Sequence, residues 1–237
     1  MSVQGYVFDY GGTLDTRGMH WGKVIWHAFE KFGVPVSEEQ FRQAYIYAER
    51  TLGRNPIIRP TFTFRKLLDV KLRLQLEYLC MKGYLTTDKT GLEKTLLDLL
   101  AYLYANVQET VGHSRKVLSE LHEHFPLVLV SNFYGNIEVV LQEFGMGHLF
   151  EKVIESAVVG IRKPDSRIFQ LGVEAMGISS EHVAVVGDSI SKDIVPARSI
   201  GCQTIWYKGE GWTDTLEDES VPHRIIHDLD DLINPES

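Results

Sequence analysis

Asp9 closes a short apolar run, Gly5-Tyr6-Val7-Phe8, and is followed by Tyr10-Gly11-Gly12-Thr13. A run that stops on a carboxylate and breaks at two glycines holds that carboxylate at the rim of a sheet, where open α/β sheets bind ligands. This is the layout of a nucleophilic aspartate, which splits one hard displacement into two easier ones through a covalent intermediate. Three more motifs follow in order. Ser131-Asn132 comes straight after Leu127-Val128-Leu129-Val130. Lys163 sits in Gly160-Ile161-Arg162-Lys163-Pro164-Asp165. Asp188 and Asp193 lie in Gly187-Asp188-Ser189-Ile190-Ser191-Lys192-Asp193, straight after another apolar run. A lysine offers a compact point charge suited to phosphate, and carboxylates suit Mg2+. Taken singly, each has a plainer role: the aspartates as helix caps, Lys163 as a solvated side chain. Three of the four motifs begin where a strand stops, so a parallel sheet would gather them at one edge.

The elements that must do this gathering are legible. Residues 5–8, 127–130, 152–155, 183–186, 204–207 and 224–226 read as strands, several of them continuous Val/Ile/Leu runs of the kind buried on both faces. Helical stretches at 114–123, 136–144 and 167–176 lie between them, the last two ending near Gly145 and Gly177. Strand–helix alternation from residue 110 onward predicts a parallel sheet. Residues 18–109 read differently, with helical patterns at 21–32, 38–52, 62–79 and 92–107. The expected architecture is an α/β, Rossmann-like parallel sheet core, residues 1–17 and 110–237, with a helical cap of residues 18–109 inserted after the first strand. Hinges are expected near 16–18 and 106–112. Trp21, Trp26, Phe29, Tyr45 and Tyr47 are expected to pack the cap's core, and 209–222 to form a mobile acidic loop.

Composition narrows the classes. The chain has 237 residues, 44% hydrophobic and 24% charged, which suits one large globular domain or two modest ones. A net charge of −8 argues against a bulk nucleic-acid or anionic-membrane binder. Two cysteines are too few for a disulfide framework. The first strand begins too early to leave room for a signal peptide, and no apolar stretch approaches the ~20 residues of a membrane helix. The expectation is a cytoplasmic protein without nucleic-acid or membrane partners.

The four motifs in this order resemble those of the haloacid dehalogenase superfamily, whose members are mostly phosphatases. The resemblance covers roughly residues 3–17 and 110–230, and the helical insertion matches the family's C1-type cap in position. It implies that Asp9 attacks phosphorus, that Lys163 balances charge, and that Thr13, Ser131, Asn132 and Lys163 hold the phosphoryl group. It implies a Mg2+ site made by Asp9, the backbone carbonyl of Gly11 and Asp188, with Asp193 in support. The partner would be a small phosphorylated substrate.

Position 11 departs from the family. Its phosphatases carry a second aspartate there, which protonates the leaving oxygen and then activates water, help worth ~10²–10⁴ in rate. Glycine keeps the metal-binding carbonyl and loses the acid–base, so a slowed phosphohydrolase is expected. Dehalogenases of the family carry tyrosine at this position and need no metal, whereas this chain keeps Asp188 and Asp193. Two other readings stand beside the phosphatase: a homologue that binds a phosphometabolite or partner without turnover, and a C–P hydrolase like the phosphonoacetaldehyde enzymes, which use a cap lysine as a Schiff base. The insertion holds seven lysines, and nothing singles one out. Asp15 and His20 are the nearby groups that could replace the missing acid, though each reads first as structural.

Overall fold

A computed structural model describes residues 2–213 and 217–234. Six strands form one parallel sheet: β1 (Gly5–Phe8), β2 (Leu127–Ser131), β3 (Lys152–Glu155), β4 (Val183–Gly187), β5 (Gln203–Tyr207) and β6 (Arg224–Ile226), in the order β3-β2-β1-β4-β5-β6. All six expected strands are present, within a residue of the bounds read from sequence. The order runs outward from β1 in both directions, so the chain changes direction between β1 and β4, and the crevice beyond the carboxyl ends of these strands is where such sheets bind ligands. Phe8 is in register with both Leu129 and Val186, which brings the ends of β1, β2 and β4 level.

Side chains alternate across the sheet. Tyr6, Phe8, Leu129 and Val186 face one apolar layer, while Val7, Val128, Val130 and Val185 face another that is covered by α7 (Arg167–Met176). The first layer does not stop at the sheet. It continues through Tyr10 and Leu14 into the four helices between β1 and β2: α1 (Trp21–Lys31), α2 (Glu38–Arg54), α3 (Phe64–Met81) and α4 (Lys89–His122). The remaining helices are α5 (Ile137–Glu143), α6 (Ser156–Val159) and α8 (Val195–Ser199). No helix among the described residues is long and apolar enough to cross a membrane.

Three local expectations need correction. The helical stretches read at 92–107 and 114–123 are one 34-residue helix, α4, so residues 106–112 are not a loop. Leu96, Leu100, Leu103, Val107, Val111, Ser114 and Leu118 form a continuous buried stripe that outweighs the ~1 kcal/mol cost of Gly112 within a helix. Tyr47 is exposed and stacks on Tyr78 outside the core, while Phe29 and Tyr45 are buried as expected. The described start of the 209–222 loop is docked: the Trp212 ring fills the space left by Gly22, lies against His20 and Tyr45, and receives the Arg42 guanidinium on its face. Residues 214–216 of that loop lie outside the described residues.

Candidate active site

The carboxyl ends of β1, β2 and β4 carry most of the motif residues. Asp9 leaves β1 with its N–H donated to the Val186 carbonyl at 3.0 Å, and its side chain is buried. The chain then turns sharply at Gly12, whose φ is +97°; a Cβ there would strike the Asp188 carboxylate at 2.4–2.6 Å. Glycine at 12 thus lets the first loop lie flush against the end of β4. Thr13 reaches across the same gap and donates its hydroxyl to Asp188 Oδ1 at 3.2 Å. The Asp188 backbone carbonyl accepts from Trp206 Nε1 at 2.8 Å. Asp193 sits in a single π-helical turn, Ile190–Ile194, and accepts from the Ser189 N–H at 3.1 Å. Gly187 gives it room, since a Cβ at 187 would overlap the Asp193 side chain.

Lys163 arrives from outside the strand ends and is locked in place. Asn132 clasps its backbone, accepting from the Lys163 N–H at 2.9 Å and donating to its carbonyl at 3.2 Å. The ammonium then bonds Asp9 Oδ1 and Asp193 Oδ1, each at 2.6 Å. Asn132, expected on the phosphoryl group, therefore spends both ends of its amide on Lys163, whereas Ser131 is buried in the cavity wall.

Asp9, Asp188 and Asp193 offer carboxylate oxygens that all lie within 4.8 Å of one another. Burial and the neighbouring charges of Asp193 and Asp9 hold Asp188 well above the ordinary carboxylate range. Burial lifts Asp193 to about 6 even with Lys163 beside it. For Lys163 burial opposes the charge, but Asp193 and Asp9 outweigh it and raise the ammonium's pKa. Crowded carboxylates with one cation among them form an oxygen-donor set suited to a hard divalent ion. A second acidic group, His113 with Asp228 and Asp230, joins α4 to the C-terminal segment as a half-exposed ion-pair cluster.

Gly11 lines the cavity, and a Cβ built on it meets nothing within 4 Å. The space that an acidic side chain would use is open. Asp15 lines the same cavity while fully enclosed, accepting from the Gly12 N–H at 2.7 Å and from Trp21 Nε1 at 3.0 Å. Burial lifts its pKa to about 7. Trp21, expected in the core, is thus a cavity residue. His20 is also in the wall; burial, helped by Lys192, pushes it down to about 4.

The rest of the wall comes from α2, α3 and the loop after β2. Lys71 and Glu49 form an ion pair at 2.7 Å, and the Tyr134 hydroxyl donates to Glu49 Oε2 at 2.8 Å. Phe64, Leu67 and Leu68 add an apolar side. Sequence reading did not pick out Glu49 or Lys71. A signal existed for the second: Lys71 falls within the buried stripe Leu67, Leu68, Leu72 and Gln75, where a lysine is out of place unless it is paired.

Comparison with known proteins identifies the family. The haloacid dehalogenase-like hydrolase family matches residues 3–201, a range that contains every residue of the carboxylate–lysine cluster. A phosphoglycolate phosphatase of Vibrio cholerae is 31% identical over 209 residues, covering 85% of this chain and 82% of the relative. An (S)-2-haloacid dehalogenase of Pseudomonas putida is 27% identical over 236 residues, covering 97% and 96%. A magnesium-bound hydrolase of this type from Bacillus subtilis shares the fold, with a TM-score of 0.61 at 19% identity over 99% of both chains. The family match takes in β1 to β4 and the helices inserted after β1, and this chain belongs to the haloacid dehalogenase-like hydrolases.

Proposed function

We propose that the chain is a Mg2+-dependent phosphohydrolase acting on a small phosphorylated metabolite through a phospho-aspartate on Asp9. The observation that carries this reading is the cluster of three carboxylates, two of which bond one lysine. That cluster is short of positive charge, and a phosphoryl group entering it needs more. Asp9, Asp188 and the Gly11 carbonyl would hold Mg2+, with Asp193 in support, and the ion would neutralise charge on the phosphoryl oxygens. Lys163 fixes Asp9 by one oxygen and leaves the other to attack phosphorus. The ester P–O bond breaks as the bond to Asp9 forms, and the departing oxygen takes up a proton. Water then cleaves the acyl phosphate and restores the carboxylate. Thr13 acts by holding Asp188, Asn132 by holding Lys163, and Ser131 offers its hydroxyl to the phosphoryl group. Residues 18–109 are taken as a cap that closes the cavity and keeps water out, with α4 running from it into the core. Unpaired Cys80 and Cys202 fit a cytoplasmic setting.

The other readings are weaker. A dehalogenase reading meets the absence of an acid at 11, but three clustered carboxylates are surplus to a metal-free displacement. C–P hydrolysis needs a cap lysine able to lose its proton. Among the described residues Lys71 is the cap lysine that lines the cavity, and Glu49 keeps it an ammonium. A phosphatase screen over a broad set of metabolites with Mg2+, with Asp9→Asn as control, tests the proposal. Mg2+-dependent phosphate release that Asp9→Asn abolishes supports it; release from no substrate, p-nitrophenyl phosphate included, refutes it.

A further inference from the structure

The Glu49–Lys71–Tyr134 group is a charged feature of the cavity that the phosphoryl chemistry does not use. Lys71 is buried, and burial opposes its charge; the Glu49 carboxylate, with Tyr134 and Tyr45, more than offsets this and holds the ammonium's pKa well above its ordinary value. Glu49 is held below the usual carboxylate range, with burial opposing and Lys71 prevailing. Both partners are therefore charged, and the unit as a whole is neutral. The rings of Tyr134 and Trp21 flank the ammonium, with centroids 5.6 and 6.0 Å away.

The pair is also close and largely shut off from solvent. Glu49 Oε1 lies 2.7 Å from Lys71 Nζ and is shielded from solvent, while Glu49 Oε2 accepts from the Tyr134 hydroxyl at 2.8 Å. Nearby, His20 Nδ1 accepts from the Gly22 N–H at 3.0 Å, so the proton of the neutral ring is assigned to Nε2. An ammonium has three N–H donors, and a buried charge pair is costly to disturb by removing one partner.

We infer that this group selects the leaving group, and that the substrate is the phosphate ester of a short, uncharged polyol or hydroxyaldehyde. The inference rests on the phosphohydrolase reading. A carboxylate on the leaving group would gain Lys71 while lying against Glu49. An ammonium would gain Glu49 while lying against Lys71. A hydroxyl avoids both conflicts: it accepts from Lys71 or His20 and donates to the Glu49 carboxylate. Adjacent hydroxyls do so twice. The cavity is about 170 Å³, below the roughly 300–1,000 Å³ of sites for drug-sized ligands, which limits the carbon skeleton to a few atoms. The apolar side made by Phe64, Leu67 and Leu68 accommodates that skeleton's C–H groups.

The test compares kcat/KM, with Mg2+, for four esters of similar size: glycerol 3-phosphate, 2-phosphoglycolate, phosphoethanolamine and propyl phosphate. The wild type should favour glycerol 3-phosphate over each of the others by about tenfold or more. Glu49→Gln, which leaves Lys71 unopposed, should shift the glycolate-to-glycerol ratio about tenfold toward the carboxylate. Lys71→Met should shift the ethanolamine-to-glycerol ratio toward the cation. Opposite shifts from the two partners are not what a purely structural pair would give. Where a single variant fails to fold, the Glu49→Gln/Lys71→Met double variant decides, since it removes both charges together and should lose the preference for glycerol 3-phosphate over propyl phosphate. If p-nitrophenyl phosphate is hydrolysed but the wild type prefers a charged ester, or the ratios do not move, the selection is overturned and the phosphohydrolase stands. If no ester is hydrolysed by folded wild type, the phosphohydrolase reading itself fails.

Discussion

Gly11→Asp should restore a general acid to this site, and the structure sets the terms of the change. A Cβ at residue 11 meets no atom within 4 Å, and the backbone there lies outside the left-handed region, so the side chain enters without strain. Replacing glycine also removes freedom from the unfolded chain, which stabilises by about 0.4–1 kcal/mol where the native backbone is compatible. Against this stands one more carboxylate beside Asp9, Asp188 and Asp193, a repulsion that bound Mg2+ would offset. A positioned acid is worth ~10²–10⁴ in rate, or about 2.7–5.4 kcal/mol at 1.36 kcal/mol per tenfold. The gain depends on the leaving group. An alkoxide must be protonated as it departs, whereas p-nitrophenolate leaves without help. Rapid-quench measurement of the first turnover should therefore show glycerol 3-phosphate accelerated toward that ceiling and p-nitrophenyl phosphate changed only a few-fold. The first turnover is the proper readout because dephosphorylation of Asp9 could mask the effect at steady state. Calorimetry should show Mg2+ affinity retained. If Mg2+ binds as before and both substrates respond equally, or neither responds, the reasoning is refuted: Asp15 or another group already supplies the proton.

Three further outcomes are expected. Asp188→Asn should weaken Mg2+ binding sharply by calorimetry, and an unchanged affinity would mean that the metal site is misassigned. Asp15 has a folded pKa of about 7 against an ordinary 3.8, so between about pH 4 and 7 the folded chain holds a proton that the unfolded chain has released, and stability must fall as pH rises through that window. The full penalty above pH 7 is of order 4 kcal/mol. In Asp15→Asn, urea unfolding of the metal-free protein should show a flatter pH dependence. It should also show a loss of ~1–3 kcal/mol at pH 5, because one amide oxygen cannot serve both Gly12 N–H and Trp21 Nε1; a pH slope equal to the wild type's would contradict the assignment. Ser114→Ala should cost about 1 kcal/mol by removing the buried hydroxyl that donates to the Leu14 carbonyl at 2.8 Å, the bond that ties α4 to the loop after Asp9; no change in the urea midpoint would show that this tie is not a stabilising one.

The carboxylates of the cluster were legible because their motifs begin where a strand stops. Strands are short, apolar and bounded by glycine, and a parallel sheet brings their ends to one edge whatever the loops do. Asp9, Asp188 and Asp193 therefore came together as sequence order implied, whereas Lys163 comes from the loop after α6 and was legible only through the resemblance. The Asn132 clasp on Lys163 was not legible, since an amide in a loop after a strand suits a ligand or a backbone equally. The Glu49–Lys71 pair required knowing how α2 packs on α3, which a helical period alone does not fix. The break expected near residue 110 failed for a related reason. Asn106, Gln108, Glu109 and Gly112 look like a boundary, but they occupy the solvent side of α4, and the stripe on its other side decides the helix.

The central claim is that Asp9 takes the phosphoryl group, and intact-protein mass measurement during turnover tests it most directly. With acetyl phosphate and Mg2+, one added phosphoryl group should appear and persist, because no side chain at position 11 activates the water that would remove it. Asp9→Asn should abolish both the adduct and turnover. Mg2+-dependent turnover by Asp9→Asn at the wild-type rate, or an adduct that maps to another residue, would contradict the account.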